Sequence, residues 1–276
     1  ASKITARPVP QAQLRRHVRK LIDATDFRGS VALIKKGRIV YTGGVGEADH
    51  TRKLANNGAT MFPLASVEKY LTALVIGRLI ADHQLSFTTK LAQIYTNANY
   101  ALLAGIIRKV TKKPFAAALD QTILAPLKLT HTRNFDALSA KMPVAQGYLS
   151  EDDQSYQPDD LSQALLSSLL GSGSVYMSVT DLAKVIIAAE TGKIIPKKVY
   201  HQLIAAHYAD SNQYASGVAW LDDQRLLQGM YNDNPESFST LAYFRANATS
   251  GVVLFGNHTM TTDTVTLAQN LEALVE

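Results

Sequence analysis

Residues 11–25 (QAQLRRHVRKLIDAT) place Leu14, Val18, Leu21 and Ile22 at helical spacing among basic residues, which predicts an amphipathic helix. Two β-rich runs follow, Ser30–Ile34 and Arg38–Thr42. They flank Lys35-Lys36-Gly37, the pattern of a hairpin with glycine in its turn. Residues 66–82 carry the longest apolar helical pattern in the chain. Asn99–Thr111 and Pro114–Leu124 predict two more helices, separated by Lys112-Lys113. Ser178–Thr191 predicts another, with Ser178 as its cap, Asp181 in its first turn and Gly192 as its stop. From Ala215 the period shortens. Ala215–Leu221, Arg225–Tyr231, Ser239–Arg245 and Gly251–Asn257 predict four strands joined by short turns. Thr262–Val275 closes the chain as a helix with Val265, Ala268, Leu271 and Val275 on one face.

A helix and hairpin at the front and strands with a helix at the back thus bracket a helical middle. The simplest assembly is of the α/β class in its α+β form. One antiparallel sheet is built from both ends of the chain and flanked by the N- and C-terminal helices. The expected division sets residues 1–60 with 200–276 as the sheet lobe and 61–199 as a helical lobe, in a single catalytic domain with its site between the lobes.

Composition narrows the chemistry. With 276 residues, 46% hydrophobic and 18% charged, the chain is in the globular range. The net charge of +5 suits an anionic polymer partner without demanding one. No run interleaves Lys, Arg and aromatic residues as nucleic-acid binding would require. The absence of cysteine excludes a disulfide scaffold, a thiolate nucleophile and a zinc–thiolate site. No apolar run reaches the length of a membrane span. The start Ala1-Ser2-Lys3 reads as the soluble part of a secreted or anchored protein, with any membrane anchor outside this sequence.

The stretch FPLASVEKYLTALVIGRL opens the longest apolar helix with Ser66 and Lys69, three apart and so on one face. A serine hydroxyl needs a base within hydrogen-bond reach to become a nucleophile. A neutral lysine amine can be that base, and both burial and the positive end of a helix favour the neutral form. The same helix end would help the Ser66 N–H stabilise an oxyanion. On spacing alone Ser66 reads more simply as a helix cap, and its context, at the start of the longest apolar helix, is what favours catalysis. Tyr95 and Asn97, two apart in YTN, would point the same way in an extended loop. There they offer a phenol for proton relay and a carboxamide for a substrate carbonyl, or they are simply polar loop residues. No Gly-x-Ser-x-Gly elbow or His-Glu-x-x-His motif occurs. The seven histidines are scattered, and Gly171-Ser-Gly-Ser174 reads as a turn before a helix.

FPLASVEKYLTALVIGRLI, YTNANYALLAGIIRKVTKKPF, APLKLTHT, GSGSVYMSVTDLAKVI and the hairpin GSVALIKKGRIVYTGGVGEAD, spread in order over residues 29–187, resemble the serine β-lactamase and penicillin-binding-protein-like family. The resemblance implies a β-lactamase/DD-peptidase-like fold and an acyl-enzyme on Ser66, with Lys69 as partner base. It also implies Tyr95 as the proton-exchanging tyrosine, Asn97 as the substrate-holding asparagine, and no metal or cofactor. Two departures matter. Relatives place several tens of residues more than the 25 that separate Lys69 from Tyr95. Either a lid has been lost or a loop is absent from this sequence near Ile94 or Tyr95, and the normal flanks favour the absent loop. Where relatives carry Lys-Thr-Gly or His-Thr-Gly, the stretch aligned here places Met230-Tyr231-Asn232, to within a residue or two.

Loss of that anchor for a substrate carboxylate suggests an ester whose carboxyl is masked. A D-alanyl ester on teichoic acid has a free ammonium and no free carboxylate. Tyr231 and Asn232 would line its site. Asp233 and Glu236 could attract the ammonium, or be solvated turn carboxylates. The chain therefore looks most like the teichoic acid D-alanyl esterases of this family. The partner implied is D-alanylated teichoic or lipoteichoic acid. The expected protein is an extracellular, surface-anchored monomer of a Gram-positive bacterium. A D,D-carboxypeptidase acting on peptidoglycan stem peptides, a general carboxylesterase and a catalytically silent binder of cell-wall polymer are the alternatives.

Overall fold

The computed structural model describes residues 11–87, 97–150, 156–205, 214–221, 224–232 and 235–276. Its centre is a seven-stranded antiparallel sheet. In chain order the strands are β1 (Gly29–Lys35), β2 (Arg38–Val45), β3 (Tyr214–Ala215), β4 (Val218–Leu221), β5 (Gln224–Tyr231), β6 (Phe238–Phe244) and β7 (Ser250–Gly256). Across the sheet they run β3-β4-β5-β6-β7-β1-β2, so the first strand of the chain pairs with the last, Gly29 opposite Gly256. This is the sheet built from both chain ends that the periodicity predicts.

Two helices cover one face, α1 (Gln11–Asp23) and, at the chain's end, Thr264–Glu272. Leu14, Val18 and Ile22 from the first and Leu267 and Leu271 from the second pack on Val31, Leu33, Leu241, Val252 and Leu254. Alternate residues of those strands point to this face, as a period of two requires. On the other face lie α2 (Glu68–Ala81), α3 (Asn97–Thr111), α4 (Val179–Glu190) and α5 (Lys197–Ile204), which share the larger core with Ala32, Ile34, Val253 and Phe255. α2 is buried nearly all round, and this explains a pattern with almost no polar face. Ser178 caps α4, its Oγ accepting from Asp181 N–H.

Three expectations need correction. The predicted strand Ala215–Leu221 is two strands folded at Ser216-Gly217, where both residues have positive φ. A side chain at Gly217 would begin 2.5 Å from the Tyr70 backbone nitrogen, so this turn presses directly on α2. The middle of the chain is not purely helical. Met61–Pro63, Val175–Ser178 and Thr132–Asn134 form a small antiparallel sheet with Val175–Ser178 at its centre. Gly171–Ser174 accordingly turns into a strand before α4 begins. Residues 114–124 are helical but in two pieces, an α-turn Phe115–Leu119 and a π-turn Asp120–Leu124.

Candidate active site

The strand Met61–Pro63 delivers the chain into a single 3₁₀ turn, Ala65–Val67, which runs straight into α2. Ala65 takes φ +46°, a left-handed conformation costly for a residue with a Cβ. The bend sets Ser66 at the mouth of the helix, half-buried, at the positive end of the helix dipole. Lys69, one turn on, is fully buried. Its Nζ lies 2.6 Å from Ser66 Oγ and 5.6 Å from the centroid of the Tyr100 ring on α3.

The central sheet closes the site from one side. A Cβ on Gly229 of β5 would lie 2.6 Å from the Ser66 nitrogen and 2.8 Å from the Leu64 oxygen. The strand and the serine turn therefore touch backbone to backbone. Thr240 on β6 fastens them, its one Oγ1–H shared between Leu64 O at 2.8 Å and Gly229 O at 3.2 Å.

On the other side, Glu68 is fully buried and receives Gly171 N–H at 2.9 Å, Ser174 Oγ at 3.0 Å and Val175 N–H at 2.7 Å. Burial pushes its carboxyl up to about 7 against the downward pull of these bonds. Thr72 Oγ1 donates to Gly171 O at 2.8 Å. The Tyr231 hydroxyl donates to Gly173 O, and burial raises that phenol well above its usual range. The loop 171–175 is thus locked between α2 and the end of β5.

The residues singled out from sequence are distributed unevenly. Ser66 and Lys69 meet. Asn97 is exposed at the first position of α3. Tyr231 is buried against Gly173, and Asn232 Nδ2 donates to Asp159 Oδ2 at 2.8 Å. Glu236 is half-buried, and its carbonyl accepts Thr259 Oγ1 at 2.9 Å. Tyr95 and Asp233 lie outside the described residues. The strand residue against Ser66 is Gly229, one position before the stretch Met230–Asn232 expected there. Only a residue without a Cβ fits that contact. Gly229, Glu68, Thr240 and Tyr100 were not among the expected site residues. A lone glycine inside the strand pattern QRLLQGMY was the available signal for the first, since it marks a close backbone approach. Among the described residues no group of three or more His, Asp or Glu side chains is placed to hold a metal ion. Nor is any helix among them long and apolar enough to cross a membrane.

A serine and a buried lysine opening a helix, set against inner strands of an antiparallel sheet, are the arrangement of a serine hydrolase of the β-lactamase/DD-peptidase fold. The chain belongs to the beta-lactamase family, whose model matches residues 14–94 and 78–274. The two pieces meet where the spacing between Lys69 and Tyr95 departs from the family pattern. A teichoic acid D-alanine hydrolase of Staphylococcus aureus is 24% identical over 253 residues, covering 71% of this chain and 62% of that protein. The chain thus spans less than two thirds of that relative's length. The crystal structure of FmtA from Staphylococcus aureus superposes with a TM-score of 0.81 at 20% identity, covering 100% of this chain and 93% of that one. EstCE1, a hydrolase with promiscuous acyltransferase activity, gives 0.78 at 15% identity over 96% of this chain and 99% of its own. At these identities the superpositions show the fold.

Proposed function

We propose that this chain is a serine esterase of the bacterial cell surface that releases D-alanine from D-alanylated teichoic or lipoteichoic acid through an acyl-enzyme on Ser66. The observation that carries this reading is the Lys69 Nζ to Ser66 Oγ contact of 2.6 Å, with the lysine fully buried. In the proposed cycle Lys69 takes the Oγ proton as Oγ bonds to the ester carbonyl carbon. Negative charge moves to the carbonyl oxygen, for which the Ser66 N–H at the helix start is the proposed donor. Collapse breaks the bond to the polymer oxygen, and that oxygen leaves with a proton. Tyr95, matched by its YTN context, is the proposed relay for this proton, and Asn97 the proposed partner of the acyl group. Water then cleaves the acyl-enzyme and frees D-alanine.

The substrate class rests on the strand beside Ser66 and on the Staphylococcus aureus relative. The residues before Gly229 are Leu227, fully buried, and Gln228. Neither the cation nor the small hydroxyl that would hold a free substrate carboxylate precedes that glycine. A D-alanyl ester has no such carboxylate. Its ammonium is assigned to Asp233 and Glu236, in the stretch of sequence that follows Tyr231 and Asn232.

Three substrates decide the matter: D-alanylated lipoteichoic acid, a muropeptide pentapeptide and a chromogenic β-lactam. Free D-alanine from the first, lost in Ser66→Ala, is the expected result. Release from the pentapeptide alone would overturn the esterase in favour of a carboxypeptidase. Release from none, with polymer binding retained, would leave a silent binder.

A further inference from the structure

We infer that a cationic groove at the end of α3, separate from the Ser66–Lys69 pair, binds the phosphodiester backbone of the anionic polymer. α3 buries Tyr100, Ala104 and Ile107 and turns Arg108 and Lys109 outward in its last turn. Lys112 and Lys113 follow just past the end of the helix, where Lys112 turns the chain with φ +58°, and are also exposed. The four cations line a cavity of about 800 Å³ whose remaining wall is Gly105, Pro114, Phe115 and Leu170.

No carboxylate is among the described residues that line this cavity. Among the described residues none of the four cations enters an ion pair, whereas Arg52, Arg78, Arg225 and Arg245 each have a carboxylate partner. Lys113 Nζ donates instead to the neutral Gln121 Oε1 at 2.5 Å. Clustered like charges repel and oppose folding unless a ligand neutralises them. A ligand with regularly spaced negative charges matches cations gathered along one groove.

The groove is coupled in space to the candidate active site. Leu170 on its wall precedes Gly171, whose N–H is held by Glu68 between Ser66 and Lys69. The helix that carries Arg108 also carries Tyr100, beside Lys69 Nζ, two turns or roughly 12 Å earlier. A polymer with one phosphodiester in the groove can therefore present a neighbouring unit to Ser66. The identity of the polymer rests on the proposed function; the phosphodiester chemistry rests on the groove.

The test uses teichoic acid stripped of D-alanine, so that binding is read without turnover, and compares two variants that lose four charges each. Arg108→Gln/Lys109→Gln/Lys112→Gln/Lys113→Gln should weaken binding at least tenfold at moderate salt and reduce the slope of log affinity against log salt by about 2–3. The matched set on α1, Arg15→Gln/Arg16→Gln/Arg19→Gln/Lys20→Gln, should change affinity less than threefold. The pairs Arg108→Gln/Lys112→Gln and Lys109→Gln/Lys113→Gln, each with an intermediate loss, keep the test decisive if the fourfold groove variant fails to fold. Equal losses from the two fourfold variants, or no loss from the groove set, would overturn the groove. In turnover, the groove variant should raise KM on the alanylated polymer and leave kcat/KM on a small D-alanyl glycerol ester unchanged. A protein inactive on every D-alanyl ester that still binds polymer through the groove would refute the proposed function and keep this inference.

Discussion

Lys69 Nζ and Ser66 Oγ lie 2.6 Å apart within one helical turn, with the lysine side chain entirely removed from solvent. If that contact activates the serine, Ser66→Ala and Lys69→Met should each lower kcat/KM on the D-alanyl ester by at least ~10³-fold while the thermal midpoint moves only a few degrees. Lys69→Arg separates two roles. Guanidinium keeps the charge but does not give up its proton, so it cannot act as a base. Activity restored by arginine would reduce Lys69 to a counter-charge.

Gly229 governs how closely the sheet approaches the serine turn. In Gly229→Ala the new Cβ would fall 2.6 Å from Ser66 N and 2.8 Å from Leu64 O, both backbone atoms that no rotamer change can move. Either the strand or the turn must shift. A shift of that order at the nucleophile costs about 10²-fold in kcat, with a stability loss of about 1–3 kcal/mol. Steady-state kinetics beside a urea melt would check this; a variant with unchanged kcat would show that the strand does not set the serine's position.

What was legible in sequence follows from the range of each interaction. The terminal helices, the hairpin and β5 to β7 have strong periods, and the Ser66–Lys69 pair is fixed by local helical geometry. Strands of three residues, such as Met61–Pro63, are too short to show a period. The fold at Ser216-Gly217 was hidden inside an apparently continuous strand pattern. Glu68 and Gly229 acquire their roles from residues far along the chain, Gly171–Val175 and Ser66 respectively, which no local pattern contains. Gly229 rather than the aligned stretch Met230–Asn232 meets Ser66 because that contact is fixed by the missing Cβ, a long-range fact that no motif alignment contains.

A second buried network ties β5 to the helices. Glu190 Oε1 accepts the Tyr200 hydroxyl at 2.9 Å, and Oε2 accepts Asn247 N–H at 2.7 Å. Arg225 Nε is 2.9 Å from Oε1, close in charge but out of hydrogen-bond alignment. Arg225→Ala would leave the carboxylate buried without its cation, an expected loss of about 3–5 kcal/mol. Arg225→Met/Glu190→Gln should recover a large part of it, because both charges go together. Urea unfolding of the two variants provides the comparison. A double variant as unstable as the single one would show that packing rather than the unpaired charge is responsible.

Glu68 and His258 pull the pH dependence of stability in opposite directions. Burial raises Glu68 to about 7, so the native state holds that proton more tightly than the unfolded chain. The resulting stability is complete below about pH 4.5 and is lost as pH rises through 7. Burial, with the charges of His50 and Arg28, lowers His258 to about 4. Its Nδ1 lies 3.2 Å from Asn257 Oδ1 and its Nε2 lies 3.0 Å from His50 Nε2. Asn257 Nδ2 is spent on three backbone carbonyls, so Oδ1 must face the ring and the Nδ1–H tautomer is selected. Here the native state holds the proton less tightly. The stability is complete above about pH 6.5 and is lost as pH falls through 4. Each group contributes about 3 kcal/mol over its own range, and the ranges overlap between about pH 4.5 and 6.5. There the two slopes largely cancel in the unsubstituted protein. Glu68→Gln should therefore turn a nearly flat profile into one that rises with pH, and His258→Gln into one that falls. Slopes, not absolute midpoints, are the quantity to compare, since each substitution also alters local hydrogen bonds. Urea midpoints at half-unit steps across this window would reveal both slopes, and two variants that kept the parent's profile would exclude these groups as its source.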